Sequence, residues 1–333
     1  MDLTSNYLGL KLKNPIVVSS CPLSETIDGI KKLEDSGASA VVMYSLFEEQ
    51  IRQENEAFES LMESASGSFA ESANFFPEIE DVDKGPEQYI NLLSKAVEAT
   101  DIPIIGSLNG ITNEGWIDYA KQIQQAGASA LELNIYYIAS DLSKNGTEVE
   151  QRYIDILQSV KSSVDIPVAV KLSPFFSSVG HFAQRLDKVG VDGLVLFNRF
   201  FQPDFNLDTL QVEPRAHLGS AEEIRVPLLW IAVLHGQIKA SLAASRGVQS
   251  SIEVIKYLLA GADVVMVASA LMRRGPQYIQ VMLDELQQWL SARDYASLDE
   301  IRGKMSHQHV VNPGEFERVN YIKSLGSEAR RSF

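Results

Sequence analysis

One short pattern occurs four times along the chain: an amphipathic helical stretch ends in glycine, passes through small residues and enters an apolar strand. It stands at residues 32–40 before 41–43, at 125–130 before 131–133, at 188–193 before 194–196, and at 259–263 before 264–266. Gly37, Gly127, Gly190 and Gly261 fall where a helix end needs a left-handed residue, and the small residues let the chain turn directly into a strand. A second pattern, Asp-Ile-Pro and then an apolar run, opens strands at 102–106 and 166–170; proline at a strand start forfeits no ladder bond. Residues 15–18 and 240–243 complete eight strands, each separated from the next by a helical stretch. Near-continuous apolar strands alternating with helices mean a parallel sheet buried on both faces. Eight such units predict an α/β fold closed as a (β/α)8 TIM barrel rather than an open sheet.

No Pro-, Gly- or Ser-rich linker divides the 333 residues, so a single barrel domain is expected over 1–333, with a charged C-terminal extension at 305–333. Two connections are unusually long, at about residues 45–85 and 199–222; both follow strands and so rise from the face where barrels place their sites. Lys plus Arg number 29 against 44 Asp plus Glu, a net charge of −15, which argues against broad contact with nucleic acid or an anionic membrane. Cys21 is the only cysteine, which excludes an intrachain disulfide and a Cys-rich metal site. The five histidines show no HExxH spacing, and His307 and His309 read as part of a solvated tail. The N-terminus lacks the basic and apolar regions of a signal peptide, and the longest apolar run, 226–234, is too short to span a bilayer. A cytoplasmic protein is expected.

The chemistry belongs at the C-terminal ends of the strands. Those ends carry Ser19, Ser20 and Cys21; Tyr44 and Ser45; Ser107 to Gly110; Asn134 to Tyr137; Lys171; Asn198; Ala244 to Gly247; and Ala268 with Ser269. This set holds amides, hydroxyls and one lysine, without paired carboxylates for glycoside chemistry or a cluster of metal ligands. Lys171 ends an apolar strand in an ammonium group, which must face the barrel mouth or reach solvent. Such a lysine can pair with a substrate anion, form a Schiff base or stabilise negative charge on a cofactor. Ser245, Arg246 and Gly247 with Ala268 and Ser269 follow the last two strands, where barrels commonly cradle a phosphate; ordinary turn chemistry is the alternative. Tyr136 and Tyr137 follow Asn134 and could serve as general acid or hydrogen-bond donor, with packing assigned to at least one of them. Tyr44 raises the same question, and Cys21 reads as a small buried hydrophobe rather than a nucleophile.

Taken together, Asn14-Pro15-Ile16, Ser107-Leu108-Asn109-Gly110, Leu131-Glu132-Leu133-Asn134, Val170-Lys171-Leu172-Ser173-Pro174, Ala260-Gly261-Ala262-Asp263 and Arg274-Gly275-Pro276 resemble the dihydroorotate dehydrogenase family, in its soluble class 1 branch. The likeness runs from residue 8 to about 304, and its specificity lies in the order and spacing of the segments. It implies a barrel holding non-covalent FMN at the strand ends, a homodimer and a small-molecule substrate. By resemblance, Lys171 favours the anionic reduced flavin, while Asn134 and Asn198 contact flavin or substrate. Ser20, Tyr44 and Ser45 fall at the flavin, Ser245, Arg246, Gly247, Ala268 and Ser269 at its phosphate, and Asn109 and Tyr136 at the substrate.

The sequence departs from the family at informative places. Tyr137 stands where the family has its catalytic cysteine base, Tyr44 where it has a lysine, and Ala139 where it has an orotate-binding asparagine. Ala244-Ser245-Arg246-Gly247 replaces a glycine-rich phosphate segment, and Ala268-Ser269 replaces Gly-Thr. A phenol, with an ordinary pKa of about 10, is a poor base at neutral pH and a usable acid. The expected activity is therefore FMN-dependent hydride transfer to or from an activated C–C bond, with Tyr137 and Lys171 as catalytic residues and no metal. The alternatives are oxidation of dihydroorotate to orotate in pyrimidine biosynthesis, or a non-catalytic flavin- or phosphate-binding relative.

Overall fold

The computed structural model describes residues 1–50, 85–110, 116–199, 203–213 and 218–316. Most of the first long connection, parts of the second, His217 and residues 317–333 lie outside this set.

Eight parallel strands close on themselves: β3 (Ile16–Val18), β4 (Ala40–Val42), β6 (Ile104–Gly110), β7 (Ala130–Ile135), β8 (Val168–Leu172), β9 (Gly193–Leu196), β12 (Ser241–Ala244) and β13 (Val264–Val267). Closure comes from β13 pairing with β3 and from β4 pairing with β6. The expected (β/α)8 barrel is what forms. A two-residue strand, β5 (Leu46–Phe47), adds to the far end of β6. Beyond β9 a short antiparallel hairpin stands out, β10 (Asp204–Asn206) with β11 (Gln211–Glu213).

The period-2 alternation of a strand sorts the barrel residues into two cores. Leu131, Leu133 and Ile135 of β7 join Val168, Val170 and Leu172 of β8 in the core shared with the helices. Ala130, Ala169, Val17, Val42, Val195 and Ala243 belong to the smaller cluster filling the barrel. An N-terminal hairpin, β1 (Ser5–Tyr7) with β2 (Leu10–Leu12), adds Tyr7, Leu8 and Leu12 to that inner cluster and stoppers the end opposite the site. Gly193 makes the stopper fit, because a Cβ there would come within 2.5 Å of the Leu8 side chain.

The helix-ending glycines do what the repeat requires. Gly190 and Gly261 cap the helices Val179–Val189 and Ser251–Ala260 in the left-handed conformation, and Gly37 and Gly127 also have positive φ. Strand limits moved where polar residues hid them. The strand expected at 102–106 runs instead over Ile104–Gly110, because Ser107 and Asn109 keep pairing, opposite Glu132 and Asn134. The segment expected to be a solvated tail is partly tied down. Met305 N–H donates to Leu259 C=O at 2.7 Å and His307 N–H to Ala232 C=O at 2.9 Å, which docks it beneath two outer helices. The His309 ring lies 6.1 Å from that of His235.

Candidate functional site

Continuing the inward face of each strand toward its C-terminal end places Ser107 and Asn109 of β6, Glu132 and Asn134 of β7, and Lys171 of β8 above the apolar plug. The register seats Asn134 beside Lys171 and Glu132 beside Ala169, so Glu132 and Lys171 meet diagonally. The Lys171 ammonium lies 3.2 Å from Glu132 Oε1 and 3.4 Å from Ser19 Oγ, with only 6% of the lysine and 1% of the glutamate exposed. A buried ammonium is tolerable because this carboxylate meets it. Lysine has three donors, and two are directed at these oxygens. Glu132 Oε2 has no hydrogen-bond partner among the described residues.

Lys171, Ser20 and Asn198 line two adjoining lobes. The first has a volume of about 250 Å³ and is walled by the ends of β9, β12 and β13: Phe197, Arg199, Ser245, Arg246, Gly247, Ala268 and Ser269. Arg246 (φ 81°) and Gly247 (φ 72°) form a left-handed pair straight after β12. Gly247 is required twice over, since a Cβ would stand 2.5 Å from the backbone nitrogen of Ile224. Arg246 gives two N–H groups to Glu223 Oε2, at 3.2 and 3.0 Å, and Arg199 approaches the other oxygen at 3.7 Å. Ser269 Oγ accepts from Gln249 at 2.9 Å. Glu223 lines this lobe too and holds Arg246, so the hydroxyls and backbone N–H groups are what suit it to an anionic group.

The second lobe, about 490 Å³, is lined by Ser20, Cys21, Glu25, Tyr44, Ser45, Asn109, Asn134, Tyr136, Lys171 and Asn198 among others. Asn198 donates from its amide to Asn134 Oδ1. Ser20, Ser45 and Ser107 form a hydroxyl chain with spacings of 3.1 and 2.9 Å. Behind it, the buried Tyr89 hydroxyl accepts from Ser107 N–H at 2.8 Å, and its ring meets Tyr44 edge-on at 5.1 Å. Burial, with the charge of Glu25, pushes the Tyr44 phenol up, so it stays a donor. Burial likewise pushes the Cys21 thiol up, against the pull of Lys171, which suits a packed thiol better than a nucleophile.

Every expected site residue except Tyr137 lines one lobe or both. Tyr137 packs instead beneath Arg152, whose guanidinium carbon lies 4.1 Å from its ring centre, while Tyr136 faces the second lobe. Asn109 and Tyr136 share that lobe with Tyr44, and Ser245 to Gly247 share the first with Ala268 and Ser269. Sequence reasoning passed over Glu132, Glu223 and Glu25. The signal for Glu132 was present: it is the one charge in the alternation Ala130-Leu131-Glu132-Leu133-Asn134. Among the described residues no cluster of His, Cys, Asp or Glu is placed to hold a metal, and no helix is long and apolar enough to cross a membrane.

Comparison with known proteins agrees with the geometry. The family model described as dihydroorotate dehydrogenase matches residues 2–290. The catalytic subunit of dihydroorotate dehydrogenase B (NAD(+)) from Methanocaldococcus jannaschii is 25% identical over 316 residues, covering 92% of this chain and 98% of that protein. The NAD-dependent dihydropyrimidine dehydrogenase subunit PreA of Escherichia coli K12 is 22% identical over 354 residues, covering 98% and 83%. A putative dihydroorotate dehydrogenase A (fumarate) from Aeropyrum pernix is 28% identical over 219 residues, covering 64% and 70%. With a barrel closed around a buried lysine and a family match over most of its length, this chain belongs to the dihydroorotate dehydrogenase family.

Proposed function

We propose that this protein is a flavin-dependent oxidoreductase that moves a hydride to or from an activated carbon–carbon bond, with FMN held across the two lobes. The observation that carries this is the position of Lys171, a buried ammonium exposed to both lobes where they join. On one side lies a pocket of hydroxyls and backbone amides that suits a phosphate, with Arg246 held at its wall by Glu223. On the other lies a lobe of amides and phenols that suits a polar ring. Bound FMN would supply the hydride chemistry, and the remaining work falls to side chains. Lys171 offers fixed positive charge toward electron density gained on reduction, preorganised by Glu132 and Ser19. Ser245, Arg246, Gly247 and Ser269 would hold the phosphate. Asn134 and Asn198, locked to each other, orient their remaining amide groups toward the ligand.

Hydride transfer to a carbon needs a proton for the adjacent carbon, or a group to take one in the reverse direction. A phenol facing the second lobe can do this, and the geometry favours Tyr136 over Tyr137, whose ring is covered by Arg152. The names of the relatives supply the ring chemistry to test first, dihydroorotate and dihydropyrimidines, with NAD or fumarate as acceptor. A homodimer belongs to the same proposal, and sedimentation velocity tests it.

Purified protein mixed with FMN should become yellow, quench flavin fluorescence at one FMN per chain, and bleach with a reductant. A chain that takes up no FMN overturns the proposal. Tyr136→Phe should lower turnover by about 10²-fold or more with FMN still bound, whereas Tyr137→Phe should retain most of it. The opposite ranking returns the proton to Tyr137.

A further inference from the structure

Behind the first lobe runs a chain of three polar side chains, Arg273, Gln249 and Ser269, in which every donor and acceptor is forced. A guanidinium can only donate, so the Gln249 atom that Arg273 Nη1 meets at 2.6 Å is the amide oxygen. The other end of that amide is then its NH2 group, which can only donate, and it meets Ser269 Oγ at 2.9 Å. Ser269 Oγ accepts this bond, and its own hydrogen is left over. Of the three residues only Ser269 lines the lobe. Its hydrogen is therefore available to an oxygen of an anion bound there, where a charge-assisted bond is strongest.

The chain is anchored from both sides. Ser269 and Arg273 stand one turn apart on the helix Ser269–Arg274. Gln249 comes from the connection between β12 and the helix Ser251–Ala260, where Glu253 Oε2 accepts from its backbone N–H at 3.3 Å and from Ser250 N–H at 2.9 Å. Arg273 also pins the wall of the lobe, donating to Gly219 C=O at 2.8 Å and to Leu218 C=O at 2.9 Å. A Cβ on Gly219 would stand 3.6 Å from Ser269 Oγ, so the pinned segment lies against the hydroxyl. All three oxygens that Arg273 meets are neutral, and its charge is not cancelled by them. Arg246 differs, being paired with Glu223 at 3.0 Å, while the other Glu223 oxygen accepts from Ser220 N–H at 3.3 Å and faces Arg199 at 3.7 Å. With Arg246 matched in this way, an oriented hydroxyl weighs more in holding an anion.

We propose that Gln249 and Arg273 are positioning residues for a phosphate in this lobe: Arg273 fixes the Gln249 amide, and that amide directs the Ser269 hydrogen to a phosphate oxygen. The proposal rests on the flavin reading above, and its test separates the two. FMN and riboflavin differ by the phosphate alone, so the ratio of their affinities isolates the lobe. Gln249→Glu keeps an oxygen for Arg273 but replaces the NH2 by a second acceptor, which turns the Ser269 hydrogen away from the lobe. In fluorescence titrations it should weaken FMN binding by about tenfold or more and leave riboflavin binding within about twofold. Arg273→Met should lower FMN affinity several-fold, again sparing riboflavin. The neutral Gln249→Leu separates orientation from added charge. It should weaken FMN binding in the parent and almost not at all in Ser269→Ala, because the glutamine acts through that hydroxyl. Equal losses for both flavins, FMN affinity unmoved by the Gln249 variants, or additive losses in the cycle overturn this inference while leaving FMN binding intact. Should Gln249→Glu misfold, the cycle of Gln249→Leu with Ser269→Ala decides alone. A chain that takes up no FMN overturns both proposals.

Discussion

Lys171 and Glu132 are each affordable only because of the other. An ammonium and a carboxylate this deep in a barrel lose most of their hydration, and a pair with good geometry recovers much of that loss. Removing one partner leaves an uncompensated buried charge. Lys171→Met and Glu132→Leu should each destabilise the fold by about 3–5 kcal/mol, and the double variant should regain most of that. Urea unfolding of the four proteins checks it, and additive losses would refute the coupling. FMN titration separates the roles further, because the double variant keeps its stability and loses the cation at the flavin. Lys171 was legible in the sequence as a charge ending an apolar strand. Glu132 was legible in the same way on β7, but their pairing was not, since Glu132 lies 39 residues earlier and reaches Lys171 only through the diagonal register of β7 and β8.

At the scale of elements, the turn after β12 shows how a local rule and a tertiary contact act on one residue. Gly247 sits at φ 72°, and its missing side chain makes room for the backbone that enters the helix Arg225–Leu234. Gly247→Ala should therefore lower stability by more than about 1 kcal/mol, the usual upper gain from such a change having reversed sign. It should also weaken FMN binding more than riboflavin binding, because the same turn walls the anionic lobe. Calorimetry and paired fluorescence titrations measure the two effects. Position 247 was readable as a turn after a strand. The reason for glycine was not, because Ile224 belongs to a segment that only folding brings there. The strand ends show the same limit: Ser107 and Asn109 look like loop residues in sequence, yet they pair in register and face inward.

At the scale of the whole molecule, Asp263 ties the N-terminal hairpin and the segment around Arg302 to the barrel. Its carboxylate accepts from Leu242 N–H at 2.7 Å, its carbonyl accepts from Ser5 Oγ, and Arg302 donates to that same hydroxyl at 2.8 Å. Burial pushes the Asp263 carboxyl above the ordinary aspartate range, with the Leu242 N–H and Arg302 pulling the other way. A raised acid favours folding in its protonated form. Its contribution is complete below an ordinary aspartate pKa of about 3.9 and is lost as pH rises through the raised value. Asp263→Asn is neutral throughout, so its stability relative to the parent should improve as pH rises from about 4 toward neutrality. Urea midpoints across that range test the sign, and a constant gap would show that Asp263 titrates as it does in the unfolded chain.

The sequence by itself determined the barrel, because the alternation of helix, glycine, small residues and apolar strand is local chemistry repeated until only closure buries both faces of the sheet. It also determined which strand ends carry polar groups, since period-2 alternation is written residue by residue. The tertiary structure alone decided which of those groups share a cavity. It turned Tyr136 to the lobe and Tyr137 under Arg152, and it brought three asparagines far apart in the chain, Asn109, Asn134 and Asn198, to one lobe. Neighbouring tyrosines have the same chemistry in a list of residues, and only backbone direction and packing tell them apart. Electrostatic meaning comes later still, because a charge acquires its role from partners that are distant in sequence and adjacent only when the barrel closes.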